Sequence, residues 1–123
     1  MPTLIPQPTR IKSAGNKAKI IDEYIGHPSS KTSSVSVAHM RSPEGWSEPG
    51  QTPDFHEFTI VLKGKVRVDH MGGTLDVYEG QAVITVPGEW VRYSTPEEGG
   101  AEYIAVCVPA FTIEKVHRDE DDE

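Results

Sequence analysis

Side chains able to move a proton or hold a ligand gather in four stretches of this sequence. "PDFHEFTIVLKG" (53–64) sets His56 and Glu57 side by side at the start of an apolar run. "WSEPGQ" (46–51), just before it, carries Trp46, Glu48 and Gln51. "GEWVRYST" (88–95) carries Arg92 and Tyr93, and "AEYIAVCVP" (101–109) carries Tyr103 and Cys107. A carboxyl among apolar neighbours has its pKa raised toward neutrality and can then act as general acid or base. A phenol can donate a hydrogen bond or a proton, and a guanidinium can pair with a substrate carboxylate. The chemistry within reach is proton transfer on a small polar molecule, with Glu57 and Tyr93 as acid and base. The bland reading of Glu57, a carboxylate merely hydrogen-bonded to its neighbours, stands beside it.

The elements that must position these groups read as strands. Eleven Gly and ten Pro in 123 residues, with many Val, Ile and Thr, favour an all-β domain with short connections. From Ser33 onward come "SSVSVAHM", a turn-rich loop, "HEFTIVLKG", "KVRVDH", "TLDVY", "QAVITV", "WVRYST" and "AEYIAVCVP", with Gly- or Pro-marked turns between them. Such spacing belongs to barrels and sandwiches. Residues 1–32 hold early prolines and no sustained period, which predicts an arm packed across the domain with short strands at best. Residues 33–113 are the barrel, and 114–123 an acidic, mobile tail.

Net charge is −7, from 12 basic and 19 acidic residues, and no basic face interleaved with aromatics appears. Nucleic acid is therefore not an expected partner. Cys107 is alone, which excludes an intrachain disulfide and a Cys-based zinc site within one chain. With no signal peptide and no apolar run of membrane-spanning length, the expectation is a cytoplasmic chain without a membrane partner.

The region from about Val35 to Pro109 resembles the cupin superfamily, small double-stranded β-helix or jelly-roll barrels. Glu57, "FTIVLK" and Gly64 match the end of the first cupin motif; Gly80, "QAVITV", Pro87 and Gly88 match the second. The resemblance extends to a group of stand-alone microbial cupins through "EPGQTPDFHE", "GEWVRYSTP", "AEYIAVCVPAF" and "VHRDE". Alignment on these motifs puts the family's four metal-ligand positions at Gln51, Pro53, Glu57 and Val91. Only Glu57 keeps the family residue, and a carboxylate with an amide suits a transition ion poorly. No cofactor is expected. A divalent metal would require a rearranged set of Glu57, Gln51, His56 or His117.

Alternation along the strand separates Glu57, Thr59 and Val61 from His56, Phe58, Ile60 and Leu62. By the resemblance, the Glu57 face looks into the barrel. The apolar outer face is then expected to be covered by the N-terminal arm or by a second subunit, in a homodimer. His56 and Glu57 point apart and form no dyad. Glu48, Gln51 and Trp46 are placed at the barrel mouth as ligand contacts, and Tyr93 inward beside Val91. Arg92 is a candidate for a substrate carboxylate, with an outward salt bridge as its structural alternative. Tyr103 and Cys107 are expected on a cavity wall, while His117 reaches the opening only if the tail folds back. These readings carry three functions: a metal-independent isomerase, epimerase or lyase; a non-catalytic ligand-binding or sensing module; and a metalloenzyme with rearranged ligands.

Overall fold

A computed structural model describes residues 1–119. Nine strands and two single-turn helices follow in order: β1 (Thr9–Ile11), β2 (Ile20–Ile25), α1 (His27–Ser30), β3 (Ser36–Ser42), β4 (Trp46–Ser47), β5 (His56–His70), β6 (Gly73–Tyr78), β7 (Ala82–Thr85), β8 (Val91–Thr95), β9 (Ala101–Val108) and α2 (Ile113–Val116). All strand pairs are antiparallel. The fold is a cupin jelly roll.

Strand β5 joins the two sheets of the barrel. Its first half pairs with β7 and β9, and its second half with β6 and β8. The sequence suggests two strands here, "HEFTIVLKG" and "KVRVDH", but they form one bent strand with an irregularity between Val61 and Lys63. Gly64 sits at the corner with φ 78°, and a Cβ there would run into the carbonyl oxygen of Gly100. That close crossing gives a physical reason for the family's glycine at this position.

The inward face is filled by Val61, Val66, Val68, Val77, Val83, Val91, Tyr93 and Trp46, all under 9 % exposed. On β3 the inward set is Ser36, Ala38 and Met40, so Val37 faces outward, beside Val106 of β9. Alternation on β5 runs as expected. Thr59 and Val61 are each 1 % exposed, whereas Ile60 is 47 % and Leu62 42 % exposed.

The arm does not cover that outer strip. Its β1–β2 hairpin extends the sheet on the far side of β3 instead. The segment after β2 is held by the peptide N–H groups of Lys31 and Ser30, which bond back to His27 and Gly26. At the other end of the chain, residues 114–119 pack onto the barrel, with the backbone of Arg118 paired to Gln51. The remainder of the acidic run assigned to the tail, 120–123, lies outside the described residues. Among the described residues, no helix is long and apolar enough to cross a membrane.

Candidate functional site

The barrel encloses a cavity of about 100 Å³. Glu57 from β5, Tyr93 from β8, and Tyr103, Ala105 and Cys107 from β9 face it, as do Glu48 and Gln51 from the loop before β5. Strand alternation delivers all the β9 residues to one side, and burial confirms it: Tyr103, Ala105 and Cys107 are buried while Ile104, Val106 and Val108 are not. The arm adds Lys12, Lys19, Ile21 and Glu23, and the C-terminal segment adds Phe111, Ile113 and Arg118. Six charged side chains thus share one small space: Glu23, Glu48 and Glu57 against Lys12, Lys19 and Arg118.

No ion pair joins any of these six among the described residues; the salt bridges all lie elsewhere. Glu23 accepts from Ser29 Oγ at 2.7 Å. Lys19 Nζ donates to Tyr103 Oη at 3.1 Å and stands 3.9 Å from the Trp46 ring centre, a cation–π contact. Tyr103 Oη is in turn 2.9 Å from Ser42 Oγ. The carboxyls of Glu48 and Glu57 face the cavity and are held by no side-chain hydrogen bond to a described residue.

Electrostatics follows from that isolation. Burial is the main cause that raises the Glu57 carboxyl from the usual 4.5 to about 7. The neighbouring Glu48 pushes the same way, and Lys19 and Arg118 oppose both. Glu48 is raised too, again by burial against the pull of the same two cations. Tyr93 is raised well above its usual value by burial and by Glu57. Its hydroxyl, 3.1 Å from Thr85 Oγ1, stays protonated at any physiological pH. Burial pushes the Cys107 thiol up as well, so it is an inert wall residue and not a nucleophile. One carboxyl therefore changes charge near neutrality beside a phenol that can only donate or accept a hydrogen bond.

Four residues singled out in the sequence are not brought to the cavity. Trp46 is 1 % exposed but sits in the core beneath the arm, its indole N–H donated to Ala14 O at 3.1 Å. Pairing of β4 with β8 turns it inward there, so it holds Lys19 and does not line the cavity wall. Arg92 lies on the outer face of β8 and pairs with Asp69 at 3.0 Å. His56 is exposed and stacks on Phe58, with ring centres 6.2 Å apart. The tail does fold back, but His117 takes a left-handed backbone (φ 48°) and bonds Asp54 at 2.6 Å on the outside. It is Arg118, next in sequence, that enters.

The return of this segment is fixed by Thr52 N–H to His117 O (3.1 Å), Asp54 N–H to Lys115 O (2.8 Å) and Asp119 N–H to Gly50 O (2.7 Å). Trp90 Nε1 donates to Asp119 Oδ2 at 2.9 Å across Gly50, where a Cβ would collide with both side chains. Lys12, Lys19, Glu23 and Arg118 were not legible as site residues, because the arm and tail carry no motif. The only hint was that "VHRDE" recurs in the resembling group.

The sequence matches the AraC-like ligand binding domain over residues 35–122. The chain belongs to that family. Solved structures similar to this member of the AraC-like family include the polyketide cyclase RemF of Streptomyces resistomycificus, at 16% identity and TM-score 0.74 over 99% of this chain and 87% of that one. Another is a variant oxalate decarboxylase of Bacillus subtilis (18% identity, TM-score 0.72, 96% of this chain, 33% of that one). A putative ethanolamine utilization protein Q of Salmonella typhimurium is a third (17% identity, TM-score 0.66, 85% and 98%). These likenesses bear on the fold. Among curated proteins, the endoribonuclease YbeY of Myxococcus xanthus (strain DK1622) is 38% identical over 99 residues. That alignment takes in 80% of this chain but 34% of that protein, so the chain spans about a third of the relative's length.

The AraC-like barrel of this chain also permits a test of the metal site that cupins imply. Gln51 and Val91, the first and last of the aligned ligand positions, are direct cross-strand partners with mutual N–H to O bonds of 2.9 Å, and so adjoin in space. Val91 and the buried Pro53 offer no side-chain donor. His56 and His117 face outward, and no group of three His, Cys, Asp or Glu among the described residues is set to hold an ion. The donor set does not fit a transition ion, nor does the rearranged set.

Proposed function

We propose that this chain binds a small polar metabolite inside the barrel and that Glu57 exchanges a proton with it, in isomerase-, epimerase- or lyase-type chemistry that uses no metal held at the cupin positions. The observation that carries this reading is the pair of cavity-facing carboxyls, Glu57 and Glu48, which no described side chain satisfies. A general acid–base works best with a pKa near the working pH, and the position of Glu57, raised to about 7, supports that use. Tyr93, kept neutral, supports a role as hydrogen-bond donor to the reacting oxygen and not as the base.

A second reading, a binding or sensing barrel without turnover, is favoured by the family itself, whose description is ligand binding. One experiment separates the two. A metabolite library is screened by thermal shift on the wild type and on Glu57→Gln, and each stabilising compound is followed by proton NMR with the protein in deuterated water. Solvent deuterium entering the compound, or its conversion, with the wild type and not with Glu57→Gln is the expected result. A compound that stabilises the fold and is recovered unchanged and unlabelled would leave only the sensing reading.

The outer strip supports association of two copies. Phe58, Ile84 and Val106 are cross-strand neighbours on it, as are Ile60 and Ile104, and Ile84 is 63 % exposed. Sedimentation of wild type and Ile60→Lys checks whether a homodimer forms through it.

A further inference from the structure

Two buried polar atoms on the cavity wall have no hydrogen-bond partner among the described residues: Gln51 Oε1 and Arg118 Nε. Gln51 is 3 % exposed. The two residues are opposite one another in an antiparallel bridge, an arrangement that projects both side chains to the same side, here the barrel side. They are therefore neighbours, one with an unused acceptor and the other with an unused donor, and they do not satisfy each other. Leaving such groups unpaired away from water is costly, and each calls for a partner.

The two differ in what they demand. An arginine cannot shed its charge, so Arg118 requires an acceptor, and a negative one suits it best. Its guanidinium also stands 5.5 Å from the Phe111 ring, which fixes it without supplying an anion. The carboxyls that share the cavity with it, Glu48 and Glu57, are raised by burial and form no ion pair with it among the described residues, so neither is the acceptor for Nε. Lys19 adds a second cation on the same wall, held by Tyr103 and not by an acid. Gln51 Oε1, an acceptor only, requires a hydroxyl or amino hydrogen.

We propose that the ligand of this barrel is a small carboxylic acid bearing a hydroxyl or amino group, with its carboxylate on Arg118 and its donor hydrogen on Gln51 Oε1. The proposal rests on the ligand-binding part of the function above and is independent of proton transfer by Glu57. It accounts for why the C-terminal segment is fastened back on the barrel mouth: the fastening delivers a guanidinium with an unused donor to the cavity wall. Arg118 and Gln51 are ligand-positioning residues in this scheme, and neither is assigned a chemical step.

The test is isothermal titration and thermal shift at neutral pH in a buffer free of carboxylates, with lactate, malate and alanine as probes. Propionate, which lacks the donor, and methyl lactate, which lacks the carboxylate, serve as paired controls. At least one of the three acids is expected to bind, propionate about 10-fold more weakly than lactate, and methyl lactate not measurably. Arg118→Gln should weaken acid binding about 10- to 100-fold, the scale of a charge-assisted hydrogen bond. Gln51→Leu should erase the preference for lactate over propionate. Should Arg118→Gln fail to fold, Arg118→Lys keeps the charge and removes Nε, and it should still lose about 10-fold.

The proposal is overturned if methyl lactate binds as lactate does, if the Arg118 variants bind as wild type, or if none of the acids binds at about 10 mM, a weak-affinity limit. Neutral sugars binding instead of acids, with solvent exchange still lost in Glu57→Gln, would remove this inference and leave the proton-transfer reading. Acids that bind with the stated selectivity and are never turned over or labelled would do the reverse.

Discussion

Replacing Glu57 by glutamine should stabilise the fold, and only above the pH at which an ordinary glutamate ionises. The carboxyl titrates at the usual 4.5 in the unfolded chain and at about 7 in the folded barrel. Its folded pKa is raised, so the stability associated with it is fully present below pH 4.5. Between there and about 7 the unfolded state sheds the proton first, and folding loses ground at up to about 1.4 kcal/mol per pH unit. Over that window the wild type gives up about 3 kcal/mol, after which the loss levels off. Glutamine carries no proton to lose and escapes the penalty. It also removes the repulsion that Glu57 exerts on Glu48.

Urea unfolding of both proteins at several pH values from 4 to 8 reads this out as a difference. Other carboxyls act in the opposite sense. Asp76 is lowered by hydrogen bonds from Arg67 and Lys65, and Glu102 by His39, so both lend stability that is lost on acidification. They are identical in the two proteins and cancel in the difference. Glu57→Gln and wild type should agree within about 1 kcal/mol near pH 4, the scale of one altered hydrogen bond, and diverge in favour of the variant as pH rises to 8. A difference that does not change with pH would refute the reasoning, because it would mean that Glu57 ionises in the barrel as it does in water. The buffers must not be carboxylates, since an acid held by Arg118 would stabilise the fold by mass action.

Lys19→Met, which removes a cation that lowers both cavity carboxyls, should move the Glu57 midpoint above 7 in a carbon-13 NMR titration of the side-chain carboxyls. Gly64→Ala puts a Cβ against the backbone of Gly100 and Ala101 at φ 78°, and should cost about 2–4 kcal/mol, read as a lower melting temperature. Arg92→Ala breaks an exposed pair with Asp69 and should change stability by no more than about 0.5 kcal/mol, with ligand binding untouched. Trp90→Phe removes the tether to Asp119 and should speed amide exchange at Asp119, whose N–H bonds Gly50, at a cost of about 1 kcal/mol.

What the sequence made legible follows the period of two. The cupin resemblance points the Glu57 face of β5 into the barrel, and alternation then sets His56 outward; the same rule on β9 groups Tyr103 with Cys107, and on β8 it separates Tyr93 from Arg92. Those are local facts, fixed by backbone geometry and readable from any strand whose ends are known. Trp46 shows the limit of the method. Its loop position suggested a ligand contact, but a two-residue pairing with β8 and a hydrogen bond to Ala14 bury it beneath the arm. Both depend on segments distant in sequence, about which alternation is silent.

The same limit explains why the cations of the site, and Glu23 of the arm with them, were missed while Glu48 and Glu57 were not. Glu48, Glu57 and Gln51 sit within or beside the motif that carries the cupin resemblance. Lys12 and Lys19 come from the arm and Arg118 from the returning C-terminal segment, parts whose composition reads as polar and irregular. A short polar segment has no pattern that reports what it will cover, because its position is decided by the partner's free edges: β3 for β2, Gly50 and Gln51 for Arg118 and Asp119. The electrostatics of the cavity is thus a property of the whole chain. The barrel supplies carboxyls whose burial lifts them toward neutrality, and the chain ends supply the positive charge that holds them back. A segment cut to 33–113 would retain Glu48 and Glu57 and lose all three cations, and with them any means of selecting an acid. That division suggests where specificity among such barrels can change most readily, in the terminal segments, while the inward positions of the strands are held by packing.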